Sequence, residues 1–208
     1  MRLHEIEQDR IVSFLKAHDA DTDSESIAVL SKIEEIVRDC KPFLAEMKND
    51  VFAGQNLYRG IKSTEVTLTK QIRLEGRTPT HMDPAHHLLI NNFFIDKFGA
   101  AFRNSMFASG DSRSAAYFGD GNVFMVFPIG DYRAIWSPEI LDLYELDWFR
   151  FDDDERFKEL DTYVEGNLIS AIQSNNEIMV RASGYHAVKV AYSDRMDVSY
   201  AYFQELIK

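Results

Sequence analysis

Cysteine is nearly absent from this chain: Cys40 is the single one in 208 residues. A lone thiol excludes an intramolecular disulfide and any multi-cysteine metal centre. Long apolar runs are missing too, and none approaches the roughly 20 residues that cross a bilayer. The opening MRLHEIEQDR is charged throughout and has neither the apolar stretch nor the small-residue cleavage site of a secretory leader. These absences set the expectation of a cytoplasmic protein with no membrane partner. The five prolines do not gather into a linker, and the ten glycines form no phosphate loop or dinucleotide fingerprint. Basic residues are in deficit, 23 against 34 acidic, for a net charge of −11. A phosphate-backbone binder needs basic surface from which counterions are released, so nucleic acid is disfavoured as a whole-surface partner. What remains is ordinary globular composition: 45% hydrophobic, 27% charged and 12% aromatic, in a mass of 24.0 kDa that suits a single domain over 1–208.

The first 53 residues read as a helical N-terminal cap. Helices are expected over Leu3–Leu15 and Pro42–Met47. Between them, Thr22-Asp23-Ser24-Glu25 fits a capping box ahead of an apolar face of Ile27, Leu30, Ile33, Ile36 and Val37. From 54 to 208 the texture changes to an α+β core. NLYRGI, EVTLTKQIRL, SMFAS and NVFMVFPI read as strands, with helices over 85–98 and SRSAAYF. One helix is expected over 154–172. EIMVRA and YHAVKVAY should then form strands joined in a hairpin at Ser183-Gly184. Helices and strands alternate without a β-α-β rhythm, which argues for α+β over a doubly wound sheet.

Three short segments carry the chemistry. In Leu57-Tyr58-Arg59-Gly60, an arginine within an apolar strand costs desolvation unless it meets an anion, and its planar fork suits a diphosphate or carboxylate. The glycine after it would let a ligand approach the backbone. The plain alternative is an edge-strand arginine in solvent. In the segment from Phe107 to Gly119, a strand ends at Ser109 and a short helix packs through Ala115 and Phe118, with Ser109 or Ser112 as an ordinary cap. In Ser174-Asn175-Asn176-Glu177, a glutamate opens a strand beside a polar loop, a place where most glutamates are solvated. Other candidates have simpler readings. His86 and His87 are adjacent and point to different sides of a helix, so with His81 they make a poor metal site, and no metal is expected. Asp152 to Glu155 reads as an acidic helix start and Gly119-Asp120-Gly121 as a turn. Cys40 reads as a packed thiol.

In this order, the three segments resemble the R-S-E signature of mono-ADP-ribosyltransferases, and most closely the bacteriophage-encoded members. The likeness covers about residues 55–192. It implies two packed antiparallel sheets around an NAD cleft. Arg59 matches the arginine that contacts the NAD phosphates. Glu177 matches the catalytic glutamate that grips a ribose hydroxyl, and Ser109 matches the last serine of the Ser-Thr-Ser element. Tyr58, Gly60 and Phe118 would line the cofactor side. Tyr58 and Phe118 read first as packing residues, with an aromatic face available to nicotinamide. Phe107 and Ala108 replace the first serine and the threonine, so the hydrogen bonds of those residues must be replaced or absent.

The activity implied is cleavage of the nicotinamide–ribose bond of NAD, which serves as substrate, and transfer of ADP-ribose to a host macromolecule by a phage or toxin-type effector. Asn175 stands where the family often has glutamate or glutamine, on the acceptor side of the site. An amide takes no proton at neutral pH. Arginine acceptors are therefore disfavoured, and the acidity of the chain favours a protein acceptor over RNA or DNA. Two other readings stand beside this one: a non-enzymatic phage structural or binding protein that keeps the fold, and an NAD glycohydrolase.

Overall fold

The computed structural model describes residues 3–48, 51, 52, 54–78, 82–143, 153–190 and 193–208, with 3–6, 153–156 and 193–196 described by backbone alone. Helices α1 (Leu3–Ala17), α2 (Ser24–Asp39) and α3 (Lys41–Glu46) come first, then strands β1 (Tyr58–Gly60) and β2 (Thr67–Gln71). Helix α4 (Pro84–Phe98), a 3-10 turn (Phe102–Asn104), β3 (Met106–Ala108), α5 (Ser112–Phe118), β4 (Val123–Pro128) and β5 (Arg133–Trp136) follow. The chain continues through α6 (Asp153–Asp161), β6 (Val164–Glu165), α7 (Leu168–Ser174), β7 (Ile178–Arg181), β8 (Gly184–Lys189) and α8 (Ser193–Leu206).

The architecture is α+β. Among the described residues the strands form two antiparallel sheets of four, in the orders β1-β4-β8-β2 and β3-β7-β5-β6. Strand periodicity sorts the second sheet between two cores. Ile178 and Val180 of β7 and Ala134 and Trp136 of β5 join one core with Phe124, Met125, Val126 and Phe127 of β4. Met179 and Ile135 point the other way, into a second core with Ile90, Phe94, Leu160 and Tyr163. The first core also takes in Ile11, Leu15, Leu30, Ile33, Ile36, Phe43 and, from α8, Tyr202 and Phe203. The N-terminal helices thus share one core with the first sheet.

Four local expectations are corrected. The cap of α2 is Asp23, whose side chain accepts from the Ser26 N–H at 2.7 Å, one residue past the threonine of the anticipated box. The helix expected over 154–172 is two helices around β6. Gly166 (φ 80°) and Asn167 (φ 51°) take left-handed backbone that an α-helix cannot continue through. No hairpin forms at Ser183-Gly184: β7 pairs with β3 and β5, and β8 with β2 and β4, so the chain steps from one sheet to the other there. Helix α5 is capped by Asp111, which accepts from Arg113 and Ser114 N–H at 3.1 Å each, rather than by Ser109 or Ser112. Asp152 and His81 lie outside the described residues, and α6 begins at Asp153.

Candidate active site

The two sheets meet at a seam between two edge strands. Beyond the end of β3, Ser109 bridges to Tyr58 of β1: the Tyr58 N–H donates to the Ser109 carbonyl at 2.7 Å, and the Ser109 N–H returns to the Tyr58 carbonyl at 2.9 Å. Strand β3 pairs with β7 so that Ala108 faces Ile178. The same register carried one residue further sets Ser109 opposite Glu177. Ser109 is buried, and its hydroxyl donates to the Asn175 carbonyl at 2.8 Å while accepting from the Asp111 N–H at 3.0 Å. One serine therefore ties the three sequence segments together.

Arg59 projects from β1 and gives one Nη1 hydrogen to the Phe107 carbonyl. Arg59 also acts on Tyr185 of β8, whose phenol burial pushes up and Arg59 pulls down. Two further arginines complete the basic side. Arg77, in the loop after β2, donates to the Ser105 carbonyl at 2.7 Å, and its Cζ lies 4.3 Å from the Phe107 ring centre. Arg103, in the 3-10 turn, places its Cζ 4.8 Å from the same centre. Burial, then repulsion from Arg59 and Arg103, brings Arg77 down to about 10, against the pull of Glu177. Arg77 thus senses both Arg59 and Glu177.

Glu177 enters through its main chain, whose N–H donates to the Leu141 carbonyl at 2.7 Å. Its Oε1 lies 3.8 Å from Arg103 Nη1, with 15% of the glutamate side chain and 12% of the arginine side chain exposed. Burial drives the carboxyl from 4.5 up to about 8; Arg103 opposes that rise, and Asp142 adds to it by repulsion and a hydrogen bond. Among the described residues, Glu177 Oε1 and Arg103 Nε are buried without a hydrogen-bond partner. Unmet buried polar atoms are costly, and a ligand hydroxyl is one group that can satisfy them. Nearby, buried His87 shares its Nε2 with Asn91 (3.1 Å) and Asn104 (3.3 Å). Burial, then Arg103, lowers its proton affinity.

Arg59, Ser109 and Glu177 thus share one neighbourhood. Gly60 has a different role from the one anticipated: a Cβ there would lie 2.1 Å from the Ala115 carbonyl oxygen, so its open side is filled by α5 and not by a ligand. Tyr58 packs half-buried against the main core. Phe118 does not pack as expected and is 54% exposed beside Tyr117. Asn175 caps α7 in left-handed backbone (φ 62°) with its side chain exposed. Cys40 is buried against the Phe127 carbonyl, and burial raises its thiol to about 12. Sequence reasoning missed Arg77, Arg103, Asp142 and Tyr185. For Arg103 a signal existed, because AAFRNSMF sets an arginine in apolar surroundings just as LYRG does.

Among the described residues no group of histidine, cysteine and acidic side chains could hold a metal ion, and no helix is long and apolar enough to cross a membrane. No protein-family model, curated protein or solved structure matches the chain.

Proposed function

We propose that this protein is a mono-ADP-ribosyltransferase that uses NAD as its substrate. The observation that carries the reading is the meeting of Arg59, Ser109 and Glu177, 50 and 68 positions apart in the chain, at one seam between two sheets. Separation of that size has no local cause. The pairing of a basic side with a buried glutamate also suits a dinucleotide whose anionic diphosphate adjoins a ribose bearing a cationic ring.

In this reading Arg59 anchors the diphosphate through the donors it does not spend on Phe107. Ser109 fixes the loop that carries Glu177. The bond between ribose C1′ and the nicotinamide nitrogen breaks, its electron pair leaving with neutral nicotinamide. Positive charge then spreads over the ribose ring as in glycoside cleavage. The Glu177 carboxylate stabilises that charge more in the transition state than in the ground state, which is the source of acceleration. The acceptor's nucleophilic atom bonds to C1′ and loses its proton, where it has one, to water. The pyridinium charge of arriving NAD favours the ionised glutamate, opposing the burial that holds its proton.

The test is incubation of the purified protein with adenylate-labelled NAD and a cell lysate, followed by protease or nuclease digestion. Label retained on a macromolecule supports transfer. Nicotinamide released without label transfer indicates a glycohydrolase, and no release indicates a binding module. Glu177→Gln should lower nicotinamide release by about two to four orders of magnitude while NAD still binds.

A further inference from the structure

Phe107 offers no side-chain hydrogen bond, yet its ring is the platform on which Arg103 rests, with the guanidinium carbon 4.8 Å from the ring centre. The Arg103 side chain is 12% exposed, and its Nη2 also donates to Met82 Sδ at 3.7 Å. From that platform Nη1 reaches to 3.8 Å from Glu177 Oε1. The groups facing Glu177 come from several elements: Arg103 from the 3-10 turn, Arg77 from the loop after β2, Asp142 from the segment after β5, and Tyr163 from the turn between α6 and β6. The two arginines and a hydrogen bond from the Leu143 backbone favour a charged carboxylate, and of the two arginines Arg103 stands in ion-pair range. We propose that Arg103, seated on Phe107, is the positioning residue for Glu177, holding its carboxyl group in place and easing its ionisation. This rests on the transferase reading only for its catalytic consequence. Arg103 need not touch the ligand. Burial and Asp142 push Glu177 towards the protonated form, and Arg103 is the first counterweight.

The test compares wild type, Arg103→Met, Arg103→Lys and Glu177→Gln by chemical denaturation between pH 5 and 9, and by nicotinamide release over the same range. Without Arg103, the pH at which Glu177 ionises should rise by a unit or more. At pH 7 the release rate should then fall at least tenfold, with recovery at higher pH, and lysine should restore part of it. The pH-dependent stability difference between wild type and Arg103→Met should vanish when both carry Glu177→Gln. Parallel stability curves, or a difference that survives in the Glu177→Gln background, would overturn the proposal. If Arg103→Met does not fold, direct ¹³C titration of the Glu177 carboxyl in wild type and Arg103→Lys decides it, with an unmoved midpoint the overturning result. Absence of nicotinamide release from wild type at every pH defeats the transferase reading alone, since the stability cycle still reports on Arg103.

Discussion

Glu177 carries opposed influences within one side chain. Its unfolded carboxyl releases a proton near 4.5, whereas the folded one keeps it to about 8. Between those values the native state binds more protons than the unfolded state, so stability should fall as pH rises through that window. The ceiling is about 5 kcal/mol, reduced by the side chain's remaining exposure. Urea unfolding from pH 4.5 to 8.5 should show this decline, and Glu177→Gln should flatten it. Asp142→Asn removes a like charge and should move the rise of nicotinamide release to lower pH; an unchanged profile would detach Asp142 from the pair. Cys40 makes a simpler case. Its buried thiol should resist alkylation at pH 8 in the native protein and react once the protein is unfolded in denaturant.

At the scale of elements, close backbone approach decides which glycines matter. Helix α5 lies on β1 at Gly60, where a Cβ would meet the Ala115 carbonyl oxygen at 2.1 Å and the Gly119 nitrogen at 2.5 Å. Backbone cannot step aside as a flexible side chain can, so Gly60→Ala should cost about 2 kcal/mol or more and displace Arg59 with its strand. Gly121 sits in open space at φ +85°. Alanine there meets only conformational strain, of about 1 kcal/mol. Paired thermal melts and NAD-binding titrations should separate the two, with binding lost only in the Gly60 variant. The step from β7 to β8 is the other decisive element. It takes the chain from the sheet whose strand Glu177 precedes to the sheet that carries Tyr185.

For the whole molecule, the N-terminal helices are fastened to the first sheet by more than apolar packing. His186 of β8 shares its Nε2 with Asp39 of α2 at 3.1 Å and its Nδ1 with Thr69 of β2 at 2.9 Å. Burial lowers the proton affinity of His186, as it does that of His87. The unfolded chain then binds more protons below about 6.5, so these histidines should cost stability as pH falls below that value, opposite in sign to Glu177. His186→Gln should make the acid side of the stability profile shallower, as measured by unfolding between pH 4.5 and 7. The net charge of −11 bears on the partner at this scale, by making close approach of naked nucleic acid unfavourable. With an amide at Asn175, agmatine should be a poor acceptor in the proposed reaction, and Asn175→Glu should improve it.

By itself the sequence determined most element positions. β1, β3, α5 and β4 lie inside the segments that alternation and helical spacing marked out, and Cys40 and α2 read directly from apolar context. The segments holding Arg59, Ser109 and Glu177 were visible as polar residues in or beside apolar strands, but each alone had an ordinary reading, and only their order and their likeness to the R-S-E signature singled them out. Pairing was decided elsewhere. Which strand lies beside which is a long-range choice, made when Met179 and Ile135 found one core and Ile178 and Val180 the other. Nothing local to Ser183-Gly184 signals a change of sheet. The rest of the site shares that origin: Arg77, Arg103 and Asp142 come from loops and turns, whose residues carry no periodicity to mark them. They meet Glu177 only in the folded chain, and it is burial there, by removing water, that makes a glutamate hold its proton.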